Sequence, residues 1–209
     1  MDALMPVAVV VAGYLLGSLS FAVIVSRLMG LNDPRSYGSK NPGATNVLRS
    51  GSKKAAILTL FLDAFKGWLP VALVLALGPE FGLGPELAAV AGLAAFLGHL
   101  YPVFFGFAGG KGVATAVGVL VGVNGVLALA VVLSFAIVLF FSRYVSLASM
   151  VAAVFAPAFY LFGDGVAWQA SAPEVVSLAV MALLLVWRHR ENIQRLLAGT
   201  ESQLGKKKA

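Results

Sequence analysis

Residues 113 to 141 read VATAVGVLVGVNGVLALAVVLSFAIVLFF, an apolar run without a charged residue and with one Asn-Gly step at 124 and 125. Whether this run crosses a membrane once or twice decides the fold of the whole chain. A single helix through it would put Lys111 and Arg143 on opposite sides of the bilayer, and the basic C-terminal segment would fall opposite the basic first loop. By the positive-inside rule, short basic loops share the cytoplasmic side. Two short helices broken near Asn124-Gly125 restore that parity. The first of them, about eleven residues, spans only roughly 17 Å, so the bilayer or the helix boundary has to adjust to it.

The rest of the chain asks for the same setting. Its 209 residues are 60% hydrophobic and 11% charged, against roughly 25% charge in soluble domains. Further apolar stretches run over 6–26, 55–77, 87–107, 145–162 and 175–187, and a helix needs about 20 residues to cross hydrocarbon. The expected fold is an all-α integral membrane protein with seven transmembrane helices, some of them short, the N-terminus outside and the C-terminus cytoplasmic. The first stretch lacks a basic leader and is too long for a typical signal core, so it reads as a retained span. No room remains for a separate soluble domain, and no repeat or linker is visible; residues 1–209 read as a single domain.

The net charge of +6 does not point to nucleic acid, because the basic residues are confined. Arg27, Arg35, Lys40, Arg49, Lys53 and Lys54 lie in the first loop region, Lys111 and Arg143 in later ones, and the remainder from Arg188 through the tail at 206–208. Lys66 alone falls inside a span. The loops 78–86 and 163–174, and the N-terminus with Asp2, carry only acids. Such a distribution describes topology, and it gathers the unusual polar sequence on the cytoplasmic side.

That sequence comes in three blocks. In YGSKNPGATNVLRSG, residues 37 to 51, Asn41-Pro42-Gly43 is a turn signal, after which Thr45 or Asn46 can cap a short helical turn. Ser39, Asn41, Thr45, Asn46 and Arg49 are thereby brought together with backbone N–H groups, while Lys40, Ser50 and Lys53 read as plain loop. In GHLYPVFFGFAGGKGVAT, residues 98 to 115, Gly109, Gly110 and Gly112 leave the backbone open to a ligand, and Lys111 adds a positive charge. A nucleotide P-loop fails on spacing, since Phe105 and Gly112 stand where it needs glycine and Ser or Thr. Thr115 falls near the start of the next helix, whose N-terminus favours an anion, and His99 reads as a core histidine satisfied by a carbonyl. In RHRENIQRLLAGTE, residues 188 to 201, Ile193, Leu196, Leu197 and the later Leu204 suggest an interfacial amphipathic helix. His189 and Asn192 share a face and are not explained by that pattern.

Two smaller features complete the polar inventory. Asp63 and Lys66, three apart in the second span, can pair and neutralise each other. Ser142, Arg143 and Ser146 form the other short cytoplasmic loop. With no cysteine, thiolate nucleophiles, disulfides and Cys-based metal sites are excluded. Two histidines ninety residues apart make a zinc site an unattractive reading, and neither begins the His-x4-Asp motif of the common acyl-CoA-dependent acyltransferases. Hydroxyls, amides, glycines, Arg and Lys can bind phosphates and stabilise developing negative charge, but offer few nucleophiles. The kit suits a donor that is already activated.

The blocks GSKNPGATNVLR, GHLYPVFFGFAGGKGVAT and RHRENIQRLLAGTE resemble, in order and separation, the three signature motifs of the bacterial acyl-phosphate:glycerol-3-phosphate acyltransferases, the PlsY family. The likeness extends from Asn32 to Glu201. It implies a seven-span acyltransferase of the bacterial plasma (inner) membrane with its active site at the cytoplasmic face. Its reaction would move a fatty acyl group from acyl phosphate to the 1-hydroxyl of glycerol 3-phosphate, giving lysophosphatidic acid and phosphate, the first committed step of phospholipid synthesis. The partners implied are the two substrates and the lipid bilayer, with no cofactor, metal or nucleic acid. The family pattern makes Ser39, Arg49, Lys111, His189 and Asn192 the expected catalytic residues, and gives Gly109, Gly110 and Gly112 to the donor phosphate. Asn41, Thr45, Asn46, Lys66, Thr115 and Ser146 are expected as supporting substrate contacts, and Asp63 and Glu201 as structural support. His189 and the substrate's own phosphate both remain open as the proton acceptor. The alternative is a transporter or channel for phosphate-ester anions, whose site would sit near the bilayer midplane between repeated halves.

Overall fold

The computed structural model describes residues 4–205; Asp2 and the basic tail at 206–208 lie outside them. The described residues form helices and no strand, and they divide into two compact units, one ending at Val123 and the other starting at Asn124. Four helical elements are long and apolar enough to cross a membrane, or up to six if each of two bent pairs is one span.

The first unit holds α1 (Leu4–Gly17), α2 (Phe21–Leu28), α3 (Ala44–Leu48), α4 (Lys53–Leu77), α5 (Glu86–Leu100) and α6 (Val113–Val123). Its packing rests on small residues. In a membrane, helices gain little by burying apolar surface from lipid, so glycines that let backbones approach closely carry the interface. Gly13 and Gly17 of α1 lie against the backbone of Ala91 and Ala95 in α5, and Gly98 of α5 lies against the Tyr14 carbonyl. In α6, Gly118 meets the Ala64 carbonyl and Gly122 meets Val71, while Gly67 of α4 meets the Thr115 carbonyl. Both α1 and α6 thus present a Gly-x-x-x-Gly pair to their neighbour.

The stretch expected as one span over 6–26 forms two helices. Helices α1 and α2 bend by 43° across a break at 18–20. The Ser18 hydroxyl turns back to the Tyr14 carbonyl at 2.9 Å, and the Leu19 carbonyl, outside the helical ladder, accepts from Lys66 Nζ at 2.7 Å. A lysine buried in α4 therefore satisfies the opening in its neighbour.

The second unit holds α7 (Gly125–Ser142), α8 (Val145–Phe162), α9 (Ala172–Arg188) and α10 (Arg190–Leu197). The run at 113–141 is two helices, as the charge parity requires. Asn124 has extended dihedrals (φ −159°, ψ 113°), and its side chain caps α7 by accepting from the Leu127 N–H at 2.9 Å. Arg143, in the left-handed region (φ 60°), turns the chain between α7 and α8. After α8, Trp168 stacks on Tyr160 with centroids 5.6 Å apart and donates Nε1–H to the Tyr160 carbonyl at 2.8 Å. Ser171 and Glu174 then form a reciprocal capping box at the start of α9. Helices α9 and α10 bend by 54° at His189. Leu204, expected on the same amphipathic helix as Ile193, lies beyond its end; its N–H donates to the Arg143 carbonyl at 2.8 Å.

Candidate active site

In the first unit, the loop before α3 is organised by one side chain. Asn46 is buried, and its Nδ2 donates to the carbonyls of Pro34 at 2.6 Å and Tyr37 at 3.1 Å. Its Oδ1 accepts from the Ser39 N–H at 3.0 Å and from Arg49 Nη1 at 3.3 Å. The hydrogen-bonding capacity of this amide is used within the loop. Asn46 therefore holds Ser39 and Arg49 in place, and does not cap α3; that position is taken by Gly43, without a side-chain bond. Ser39, Thr45 and Arg49 stay exposed, and Asn41 is half-buried.

The glycine loop lies between the end of α5 and the start of α6, and Gly109, Gly110 and Gly112 each have a packing reason. A side chain at Gly109 would strike the backbone of His99 and Leu100; at Gly112 (φ 82°) it would strike Phe96 and Leu100. At Gly110 the space is taken by the His99 ring and the Pro42 carbonyl, so the first and second blocks are adjacent. The Gly110 N–H donates to the His99 carbonyl at 3.1 Å. Lys111 is half-buried between Gly110 and Gly112.

Beneath this loop is a polar cluster. Lys66 and Asp63 are 1% and 2% exposed, so their 2.8 Å ion pair is buried within the protein. The ammonium also bonds the Leu19 carbonyl and lies 5.7 Å from the centre of the Phe21 ring. His99 Nδ1 is 3.0 Å from the Thr115 hydroxyl and 3.6 Å from Asp63 Oδ1. Nδ1 of His99 thus meets a hydroxyl, and Thr115 is fully buried, turned to this ring.

In the second unit the polar residues converge on a carboxylate. Glu201 Oε1 accepts from Ser146 Oγ and Asn192 Nδ2, each at 2.6 Å, and Oε2 accepts from Arg195 Nε at 2.7 Å. Burial pushes the Glu201 carboxyl up, but the hydrogen bonds from Ser146, Asn192 and Arg195 outweigh it and hold its pKa below the usual glutamate range. His189 is buried at the bend, with Nδ1 2.8 Å from the Leu185 carbonyl. A carbonyl can only accept, so Nδ1 carries the proton and the lone pair of the neutral ring is on Nε2.

The model of the glycerol-3-phosphate acyltransferase family matches residues 7–199. The chain belongs to this family. A glycerol-3-phosphate acyltransferase of Albidiferax ferrireducens is 64% identical over 207 residues, covering 99% of this chain and 92% of that protein. One from Bordetella petrii is 61% identical over 201 residues, covering 96% and 94%. Among solved structures, the glycerol 3-phosphate form of PlsY, an integral membrane glycerol 3-phosphate acyltransferase, superposes with a TM-score of 0.87 at 41% identity and covers 96% of both chains. Its lysophosphatidic acid form gives 0.85 at 40% identity.

For this glycerol-3-phosphate acyltransferase, sequence reasoning placed Ser39, Asn46 and Arg49 together, as the structure does, but did not distinguish the exposed Ser39 and Arg49 from the buried Asn46 that holds them. It missed the tie from His99 to Thr115 and Asp63. The one available signal was a histidine placed in the last turn of an otherwise apolar helix.

Proposed function

We propose that the whole chain acts as a membrane-embedded acyltransferase that takes its acyl group from acyl phosphate and delivers it to the 1-hydroxyl of glycerol 3-phosphate. The observation that carries this is the likeness to a protein crystallised in a glycerol 3-phosphate form and a lysophosphatidic acid form, an acceptor and a product of such a transfer. In the reaction, the hydroxyl oxygen attacks the acyl carbonyl carbon, the new ester bond forms, the bond from that carbon to the phosphate oxygen breaks, and phosphate leaves. The transporter alternative is set aside, because the relatives are named as acyltransferases.

The chemistry assigned to each residue follows from its type. Arg49 grips a phosphate with its planar fork, and Lys111 holds one as a point charge. Backbone N–H groups of the glycine loop take the donor phosphate. Ser39 and Asn192 complete the substrate contacts. Two groups compete for the hydroxyl proton: His189 through Nε2, and the substrate's own phosphate. With a phosphate as acceptor, His189→Gln retains a pH-dependent rate governed by the substrates. With His189 as acceptor, the variant loses the acid limb of the wild-type profile, where protonation of the imidazole would switch the base off.

For topology, the reading is seven spans in the bacterial inner membrane, with the N-terminus outside and the loops at Ser39, Lys111, Ser142 and His189 in the cytoplasm. The break at Asn124 and the basic loops support it. The direct test of donor choice uses purified protein, glycerol 3-phosphate and either palmitoyl phosphate or palmitoyl-CoA, with a chelator present. Lysophosphatidate from palmitoyl phosphate alone is the expected result. Product from the CoA ester and none from the phosphate would refute the reading.

A further inference from the structure

The buried cluster below the glycine loop has no role in the reaction as set out above, and it is built with more care than a membrane helix needs. Placing an ion pair in hydrocarbon is costly, yet Asp63 and Lys66 are both almost completely buried, and His99 adds a third ionisable group to the same carboxylate oxygen. A structural pair alone would not need the histidine.

The position of His99 supplies the reason. Its ring is what a side chain at Gly110 would collide with, so the loop backbone rests directly on the imidazole. Its carbonyl takes the Gly110 N–H, and its Nδ1 meets the hydroxyl of Thr115, in the first turn of α6. Residues on both sides of Lys111 are therefore held by one residue, Gly110 by the His99 carbonyl and by packing on its ring, and Thr115 by Nδ1 of that ring. Asp63, paired with a Lys66 anchored on the Leu19 carbonyl, lies 3.6 Å from the same Nδ1. We propose that His99, oriented by Asp63 and Thr115, is a positioning residue that presents the backbone of Gly109 to Gly112 and the side chain of Lys111 to the phosphate of the acyl donor. This rests on the reading of that loop as the donor site. His99 touches neither substrate; it sets the shape of the surface that does, and preorganisation of backbone donors is what makes such a surface effective.

The test is a kinetic series at His99 on the full-length protein in detergent, measuring KM for palmitoyl phosphate, KM for glycerol 3-phosphate, kcat and the melting temperature. His99→Ala is expected to raise the donor KM at least tenfold while the acceptor KM stays within twofold. His99→Gln, whose amide reaches under Gly110, is expected to recover most of the loss. Equal rises in both KM values, a fall in kcat with the donor KM unchanged, or no change at all would overturn the proposal. Should His99→Ala fail to fold, Thr115→Val removes the hydroxyl that holds the ring and is expected to raise the donor KM several-fold, with Thr115→Ser near wild type; an unchanged donor KM in Thr115→Val overturns the proposal as well. Gly110→Ala, run alongside, separates this inference from the reading beneath it. If Gly110→Ala leaves the donor KM unaltered, the glycine loop is not the donor site and both fall. If it raises the donor KM while the His99 and Thr115 variants do not, only the positioning role falls.

Discussion

At the scale of single residues, Lys66 illustrates how a motif position and a geometry can part. The family likeness suggests a supporting contact to substrate, but its ammonium is turned to Asp63 and the Leu19 carbonyl. Lys66→Met leaves the carboxylate of Asp63 buried and uncompensated, and is expected to cost about 3–5 kcal/mol. The double variant Asp63→Asn/Lys66→Met removes both charges and should lose distinctly less, as measured by denaturation in detergent. A lysine that binds substrate would instead show its main effect in KM. Arg49 is the converse case, exposed and aligned by Asn46 Oδ1. Arg49→Lys keeps charge but loses the two-point grip, and activity should fall at least tenfold, about 1.4 kcal/mol; near-native kinetics at full expression would show that charge alone matters. The carboxylate of Glu201 gives a pH dependence. Its folded-state pKa is depressed, so its contribution to stability is complete above the ordinary glutamate value of about 4.3 and is lost as pH falls through the depressed value. Glu201→Gln should flatten the acid side of the melting-temperature profile. The pair of Asp63 and Lys66 was legible because three-residue spacing on a helix guarantees proximity. The tie from His99 to Thr115 was not, because the loop that joins them has no periodicity to read.

At the scale of elements, the break at Asn124 was visible in sequence because an asparagine stands alone in an apolar run and charge parity demanded an interruption. The break at 18–20 was hidden: Ser18 and Ser20 are common enough in membrane helices, and the carbonyl it exposes is satisfied by Lys66 from another helix. Glycines separate the same way. Gly118 faces the Ala64 carbonyl with no space for a methyl group, whereas Gly125 has nothing within 4 Å of the corresponding position. Gly118→Ala should lower the melting temperature by several degrees by forcing α4 and α6 apart. Gly125→Ala, in the first turn of α7, should be neutral or slightly stabilising, since it removes unfolded-state freedom without strain. Equal effects from the two would contradict the packing account of α6.

At the scale of the whole molecule, hydropathy identifies an all-helical membrane protein with ease, because apolar segments of span length have few other uses. The number of crossings is harder, since α6 is eleven residues long and no length criterion reveals what it does in a bilayer. Single cysteines decide it cleanly in a chain that has none. Ser50→Cys, Ser142→Cys and Ser202→Cys should be protected from a membrane-impermeant thiol reagent in intact cells, and Gln169→Cys, exposed in the loop before α9, should be labelled. Labelling at 142 with protection at 50 would mean that residues 113–141 cross once. Above topology stands the claim that the protein joins an acyl phosphate to glycerol 3-phosphate. The most direct measurement is the stoichiometry of purified protein acting on palmitoyl phosphate and radiolabelled glycerol 3-phosphate, with lysophosphatidate and inorganic phosphate counted together. One phosphate released for each lysophosphatidate formed, and none without glycerol 3-phosphate, is the result predicted; phosphate release without labelled lipid, or labelled lipid only when acyl-CoA is supplied, would contradict it.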